Sequence, residues 1–133
     1  MPDVVLFETR SLRDGKQFGL VTLNAPKTLN SLNLEMIDLM LPQLIQWQDN
    51  PQIVLVLFQS KGDRAFSAGG DIQALYHDMG QNPGGPCPHS EAFFEREYRL
   101  DYLIRTYNKP TVVWGRGIAM GGGLGLLTAC SHK

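Results

Sequence analysis

Two glycine-rich stretches constrain this 133-residue chain more than anything else in it. RAFSAGGDIQALY occupies residues 64–76, and GRGIAMGGGLGLLTA occupies residues 115–129. Each stands between a β-type apolar run and a helix-type pattern. The first N–H groups of a helix lack intrahelical partners, and the helix dipole makes that end mildly positive. Glycine lets the backbone turn sharply and lets another group come close. The three glycines Gly121, Gly122 and Gly123 at a helix start cost roughly 1 kcal/mol each against alanine, so something must offset them. One such loop binds a generic anion or carbonyl. Two that converge would aim N–H donors at one oxygen, at roughly 3–4 kcal/mol per donor in a dry site. The plainer alternative for either loop alone is a tight turn with close helix–strand packing.

The rest of the chain supplies the frame. VVLFETR and QFGLVTLN, on either side of the Asp14-Gly15 turn signal, read as a hairpin. Ser31 or Asn33 is placed to cap a helix over residues 34–48. Ile37, Leu41, Leu44 and Ile45 fall near one face of it, with Gln48 out of pattern and Pro42 predicting a kink or a later start. QIVLVLFQS (52–60) reads as a strand buried on both faces. A loop follows, then a short helix from Asp71, a Pro/Gly-rich connector, a helix over 90–107, a short strand TVVWG and a last helix over 122–129. The order β-β-α-β-α-α-β-α predicts an α/β fold with parallel crossovers. The chain stops directly after a helix, which predicts that it belongs to something longer.

The formal charge of −1 gives no general electrostatic reason to expect nucleic acid or a membrane surface as a partner. No apolar run approaches the roughly 20 residues of a membrane span. MPDVVLFETR lacks the basic leader and long apolar core of a signal peptide. Cys87 and Cys130 make no framework, so two reduced thiols in a cytoplasmic protein are expected. His77, His89 and His132 show no ligand spacing, and no metal is expected.

Phe93, Leu100, Ile104 and Tyr107 share one face of the 90–107 helix, and Glu97 falls among them. A buried carboxylate is either paired or functional. One reading is exposure at the helix edge with an arginine partner. The other is a polar contact inside a ligand pocket, marked by a pKa raised by desolvation. Asp71 reads most simply as a helix N-cap. Lys27, Lys61 and Arg64 are loop cations near the proposed site, able to meet phosphates. Ser67 is not in a nucleophile-elbow pattern, and Cys87 has no implied base. GRGIAMG also resembles a dinucleotide-binding turn, with Gly115, Gly117 and Gly121 spaced one residue longer than the common fingerprint.

LNAPKTLNSLN, RAFSAGGDI and GIAMGGGLGL, in this order and spacing, resemble the crotonase (enoyl-CoA hydratase/isomerase) superfamily. The resemblance covers nearly the whole chain. It implies a crotonase-like ββα spiral, with residues 1–133 as the N-terminal part of a catalytic domain. It implies an acyl-CoA substrate that itself carries the CoA, and no separate cofactor. A core cut midway would leave exposed sheet edges and apolar faces, so a partner copy in a homo-oligomer, or the missing half, is expected to cover them. It assigns the oxyanion-binding N–H groups to Ala68 and Gly122, and substrate contacts to Lys27, Leu29, Gly69, Gly70, Asp71, Ile72, Glu97 and Gly121. Hydratases of this type carry a catalytic glutamate three residues after the middle glycine. That position is Gly125 here, which cannot act as acid or base. FFEREY, KP and GIAMGGGLGL together are more similar to the 3-hydroxyisobutyryl-CoA hydrolase subgroup, which acts in valine breakdown. In that subgroup the glutamate matching Glu97 contacts substrate.

Overall fold

The computed structural model describes residues 3–62, 64–67, 69, 80, 84, 88–115, 117–119 and 122–132. Strands β1 (Val5–Ser11) and β2 (Gln17–Leu23) form the expected antiparallel hairpin, with Val5 opposite Leu23 and Ser11 opposite Gln17. Gly15 takes φ +84° in the turn between them, a conformation that glycine adopts without steric penalty. Strand β3 (Ile53–Ser60) lies parallel to β2, and β5 (Thr111–Val113) lies parallel to β3. The sheet order is therefore β1-β2-β3-β5.

Two further short strands, β4 (Ala65–Ser67) and β6 (Ile118–Ala119), pair in parallel as a separate small sheet. Both lie within stretches read as loop. At two or three residues they show no period of their own, and only their mutual pairing makes them strands. The short helix expected from Asp71 lies outside the described residues.

Helix α1 (Leu34–Gln48) starts where the capping pattern predicts: the Asn33 side chain accepts from the Met36 N–H at 2.8 Å. Pro42 lies within it, and the helix runs on to Gln48. Its buried face is not quite the one expected. Met36, Ile37, Met40, Leu44 and Trp47 are buried, whereas Ile45 is 50% exposed and Leu41 only partly covered. The face turns toward the methionines because Trp47 is drawn onto the hairpin. It meets Phe7 edge-on at 6.1 Å, and its ring lies where a Cβ at Gly19 would stand, 2.5 Å away.

Helix α2 (Pro88–Arg105) and helix α3 (Gly122–Ala129) complete the core. Phe93, Leu100 and Ile104 of α2 and Leu126 and Ala129 of α3 join Val56, Phe58 and Val113 of the sheet. Strand β3 buries Ile53, Val56 and Phe58, but the residues between them are only partly covered, so one face is closed and the other half open. The Tyr107 hydroxyl donates to the Leu44 carbonyl, which ties the end of α2 to α1. Beyond α3, His132 bridges to Val112 and continues the sheet beside β5.

Candidate functional site

The two glycine junctions leave the small sheet together. In the parallel β4–β6 pair, Ala65 stands opposite Ile118 and Ser67 opposite Ala119. Parallel strands end on the same side, so the segments that follow Ser67 and Ala119 emerge from one edge. Helix α3 then begins directly over the end of β4. A Cβ at Gly123 would lie 2.4 Å from the Ser67 carbonyl oxygen. Gly117, at φ +77°, is as confined, since a Cβ there would lie 2.4 Å from the Arg64 carbonyl. The glycines therefore allow close packing, which sets the start of α3 beside the end of β4.

Of the residues singled out in the sequence, Ala68, Gly70, Asp71, Ile72 and Gly121 lie outside the described residues. Gly122 is the first residue of α3. Gly69 has φ +101°, donates to the Ser67 hydroxyl at 3.3 Å, and accepts from the Leu32 N–H at 2.6 Å. Ser67 is fully buried and its hydroxyl donates to the Asn30 carbonyl at 2.8 Å, so it works as a tie between segments.

Sequence reasoning missed Asn30, the hub of this region. It is 1% exposed. Its Oδ1 accepts from the Ala25 N–H at 2.8 Å, and its Nδ2 donates to the carbonyls of Lys61 and Ala65, each at 3.0 Å. Both Leu29 and Asn30 have φ +55°, which is uncommon for asparagine and strained for leucine. The Asn30 hydrogen bonds hold that turn. The clue was an asparagine two residues after the 3₁₀ segment Pro26–Thr28, since asparagine tolerates the left-handed region and bonds nearby backbone. Asn30→Ala is expected to lower stability by roughly 2–4 kcal/mol, with three hydrogen bonds lost and buried groups left unpaired. Chemical denaturation of the full-length protein measures it.

This turn forms one wall of a cleft of about 130 Å³ lined by Pro26, Leu29, Asn30, Lys61, Gly62 and Arg64. Two of the three loop cations thus border one cleft. Lys27 is exposed on the 3₁₀ turn and does not line it.

Glu97 lies on the buried face of α2 and is 7% exposed. Neither flanking arginine pairs with it: Arg96 binds Asp38 of α1 at 2.7 Å, and Arg99 binds Glu95 at 2.9 Å. Among the described residues nothing neutralises Glu97, and burial raises its pKa, the sign expected of a pocket carboxylate. One turn on, Asp101 is raised from 3.8 to about 6, first by burial and then by the Glu97 charge, with Arg105 opposing. Asp101 was not singled out in the sequence, because its position on a mixed polar flank of α2 gives no periodic signal.

A carboxyl raised in the fold binds its proton more readily there than in the unfolded chain. Stability is then lost as pH rises from about 4 to about 6. Asp101→Asn is expected to stabilise the full-length protein at pH 7–8 by about 1–2 kcal/mol, after allowance for its partial exposure. The gain should fade below pH 6 and vanish near pH 4. Thermal melts across pH measure it.

Comparison with known proteins accords with this arrangement. A family model described as enoyl-CoA hydratase/isomerase matches residues 18–133. The 3-hydroxyisobutyryl-CoA hydrolase, mitochondrial, of Xenopus tropicalis is 48% identical over 108 residues, covering 81% of this chain and 27% of that protein. A small ribosomal subunit protein, mS47, of Schizosaccharomyces pombe is 39% identical over 124 residues, covering 93% of this chain and 27% of that protein. The crystal structure of a carnitinyl-CoA dehydratase from Mycobacterium thermoresistibile superposes with a TM-score of 0.85 at 35% identity, covering 98% of this chain and 36% of that one. The chain thus spans about a quarter of the length of the curated relatives it matches.

These relatives overturn the cytoplasmic expectation, since proteins this similar are named mitochondrial. Reduced thiols do not tell one reducing compartment from another, so cysteine use was a poor guide to address. Strand pairing, glycine junctions and a family match over residues 18–133 converge on one conclusion: this chain belongs to the enoyl-CoA hydratase/isomerase, or crotonase, family.

Proposed function

We propose that the protein is an acyl-CoA thioester hydrolase that converts 3-hydroxyisobutyryl-CoA or a close short-chain analogue to the free acid and CoA. The observation that carries this reading is the parallel β4–β6 pair, from which both glycine junctions emerge at one edge with α3 starting over Ser67. The 48% identity to a 3-hydroxyisobutyryl-CoA hydrolase favours this substrate over others. Gly125, which offers no acid or base from α3, favours hydrolysis over a hydration that needs a carboxylate there.

In this mechanism the thioester carbonyl oxygen lies between the N–H groups of Ala68 and Gly122. An oxygen nucleophile adds to the carbonyl carbon, and the carbonyl electrons move to that oxygen. Donors already oriented at a helix start stabilise the developing charge, at roughly 3–4 kcal/mol each. The C–O double bond then re-forms, the C–S bond breaks, and CoA leaves as the thiol. Glu97 orients substrate or water, and Lys27, Lys61 and Arg64 meet the phosphates of CoA. A downstream carboxylate outside these residues either attacks the carbonyl itself, with water then releasing the acid, or activates water for the attack. In both cases water's oxygen ends in the acid and its proton on the CoA sulfur. CoA enters as part of the substrate and leaves as the free thiol, and no separate cofactor takes part. A mitochondrial location and a homo-oligomer complete the proposal. The first rests on the names of the relatives, and sedimentation velocity tests the second.

A second reading is favoured by the similarity to mS47: a structural component that keeps the fold without turnover. The deciding assay gives the full-length protein 3-hydroxyisobutyryl-CoA and follows thiol release, with crotonyl-CoA hydration alongside. Dominant thiol release supports the hydrolase. Dominant hydration overturns it in favour of a hydratase. Absence of both, with co-sedimentation on the small ribosomal subunit, establishes the second reading.

A further inference from the structure

Helices α2 and α3 meet where one lacks a side chain. A Cβ at Gly125 would lie 3.2 Å from Asp101 Oδ2, so the Asp101 carboxylate occupies the space that a residue at 125 would otherwise use. Glu97 is one turn earlier on α2, 93% buried by its 7% exposure, with no ion pair or hydrogen bond among the described residues. Two carboxyls at i and i+4 on one helix repel unless something is gained from their proximity.

We propose that Asp101 is a positioning residue for Glu97, the two carboxyls working as one unit whose placement depends on glycine at 125. This deepens the thioesterase reading and rests on it for the catalytic consequence. The pair itself stands on the geometry.

Among the described residues, the packed helices leave the two carboxyls without a direct cationic partner. Helix α3 carries no titratable side chain. On α1, Asp38 is engaged by Arg96 on the other flank of α2, and Glu35 is exposed. Arg105, one turn beyond Asp101, is a cation that acts on Asp101, and it only partly offsets burial and the Glu97 charge. Groups this close titrate in two steps that belong to the pair. Asp101 takes up its proton as pH falls through about 6, which lifts a like charge from beside Glu97. Glu97 can then meet a polar acyl group or water as donor or acceptor, and Asp101 sets which.

The experiment is a carboxyl titration of the full-length protein, by infrared bands or carbon-13 shifts, run beside the pH profile of thiol release. With both carboxyls present, a step near pH 6 is expected. In Asp101→Asn that step should vanish, the Glu97 step should move to lower pH, and kcat should drop by up to about 10²-fold with KM little changed. Gly125→Ala keeps both carboxyls but crowds Asp101, and should shift both readouts in the same direction. Asp101→Glu, which restores the charge, should recover part of the pH profile.

An unaltered Glu97 titration in Asp101→Asn, with a pH profile parallel to the parent, would overturn the proposal. Coupled titration in a protein that releases no thiol would support the pair and sink the thioesterase reading instead.

Discussion

Replacing Gly122 by proline is expected to lower kcat/KM for acyl-CoA hydrolysis by about 10²–10³ while leaving the protein folded. Proline removes one group, the backbone N–H, and fixes φ near the helical value. At most helical positions that loss breaks the helix. Gly122 is the first residue of α3, where the N–H lies outside the intrahelical ladder and proline is readily accommodated. The substitution therefore separates donor from scaffold. Helix content should persist by circular dichroism, substrate binding should fall modestly, and the chemical step should take the loss. An unchanged rate in a folded variant would remove the Gly122 N–H from the reaction.

The second large effect is on the packing that sets up those donors. Gly123→Ala would push a methyl group to 2.4 Å from the Ser67 carbonyl oxygen, 2.6 Å from its Cβ and 2.8 Å from its Oγ. Ser67 is fully buried and tied to Asn30 and Gly69, so no flexible chain end can swing away. Helix α3 must move off β4. We expect a loss of about 3 kcal/mol, the upper end for overpacking a closed site. The denaturant midpoint should fall at constant slope. In the surviving folded fraction, activity should drop too, because moving α3 moves the N–H of Gly122 away from the β4 end. A midpoint within about 0.5 kcal/mol of the parent would show that the β4–α3 contact is looser than its geometry implies.

Much of the frame was legible in the chain. The hairpin followed from β-rich runs around Asp14-Gly15, and α1 from its cap and apolar period. The buried stripe of α2 was readable with Glu97 on it, because helix periodicity puts every third or fourth residue on one face whatever that face meets. The buried face of α1 was harder. Trp47 reaches it by lying on Gly19, a residue 28 positions away in sequence (47 − 19), and no period within α1 reports that.

The site divides in the same way. That a glycine junction precedes α3 is a local property, set by the intrinsic freedom of glycine and the open N–H groups of a helix start. The sequence by itself therefore determined where glycine-rich segments lead out of the β4 and β6 stretches. Tertiary structure alone decided that they emerge together. Residues 67 and 119 become neighbours only because β4 and β6 pair in parallel, and Asn30 becomes a hub only when 25, 61, 65 and 67 gather round it. Likewise, the Asp101 carboxylate sits close against a glycine on another helix, which a pattern within α2 does not report. Local pattern encodes what a segment can become. Contacts across long loops, whose closure entropy only the finished core repays, encode what it meets.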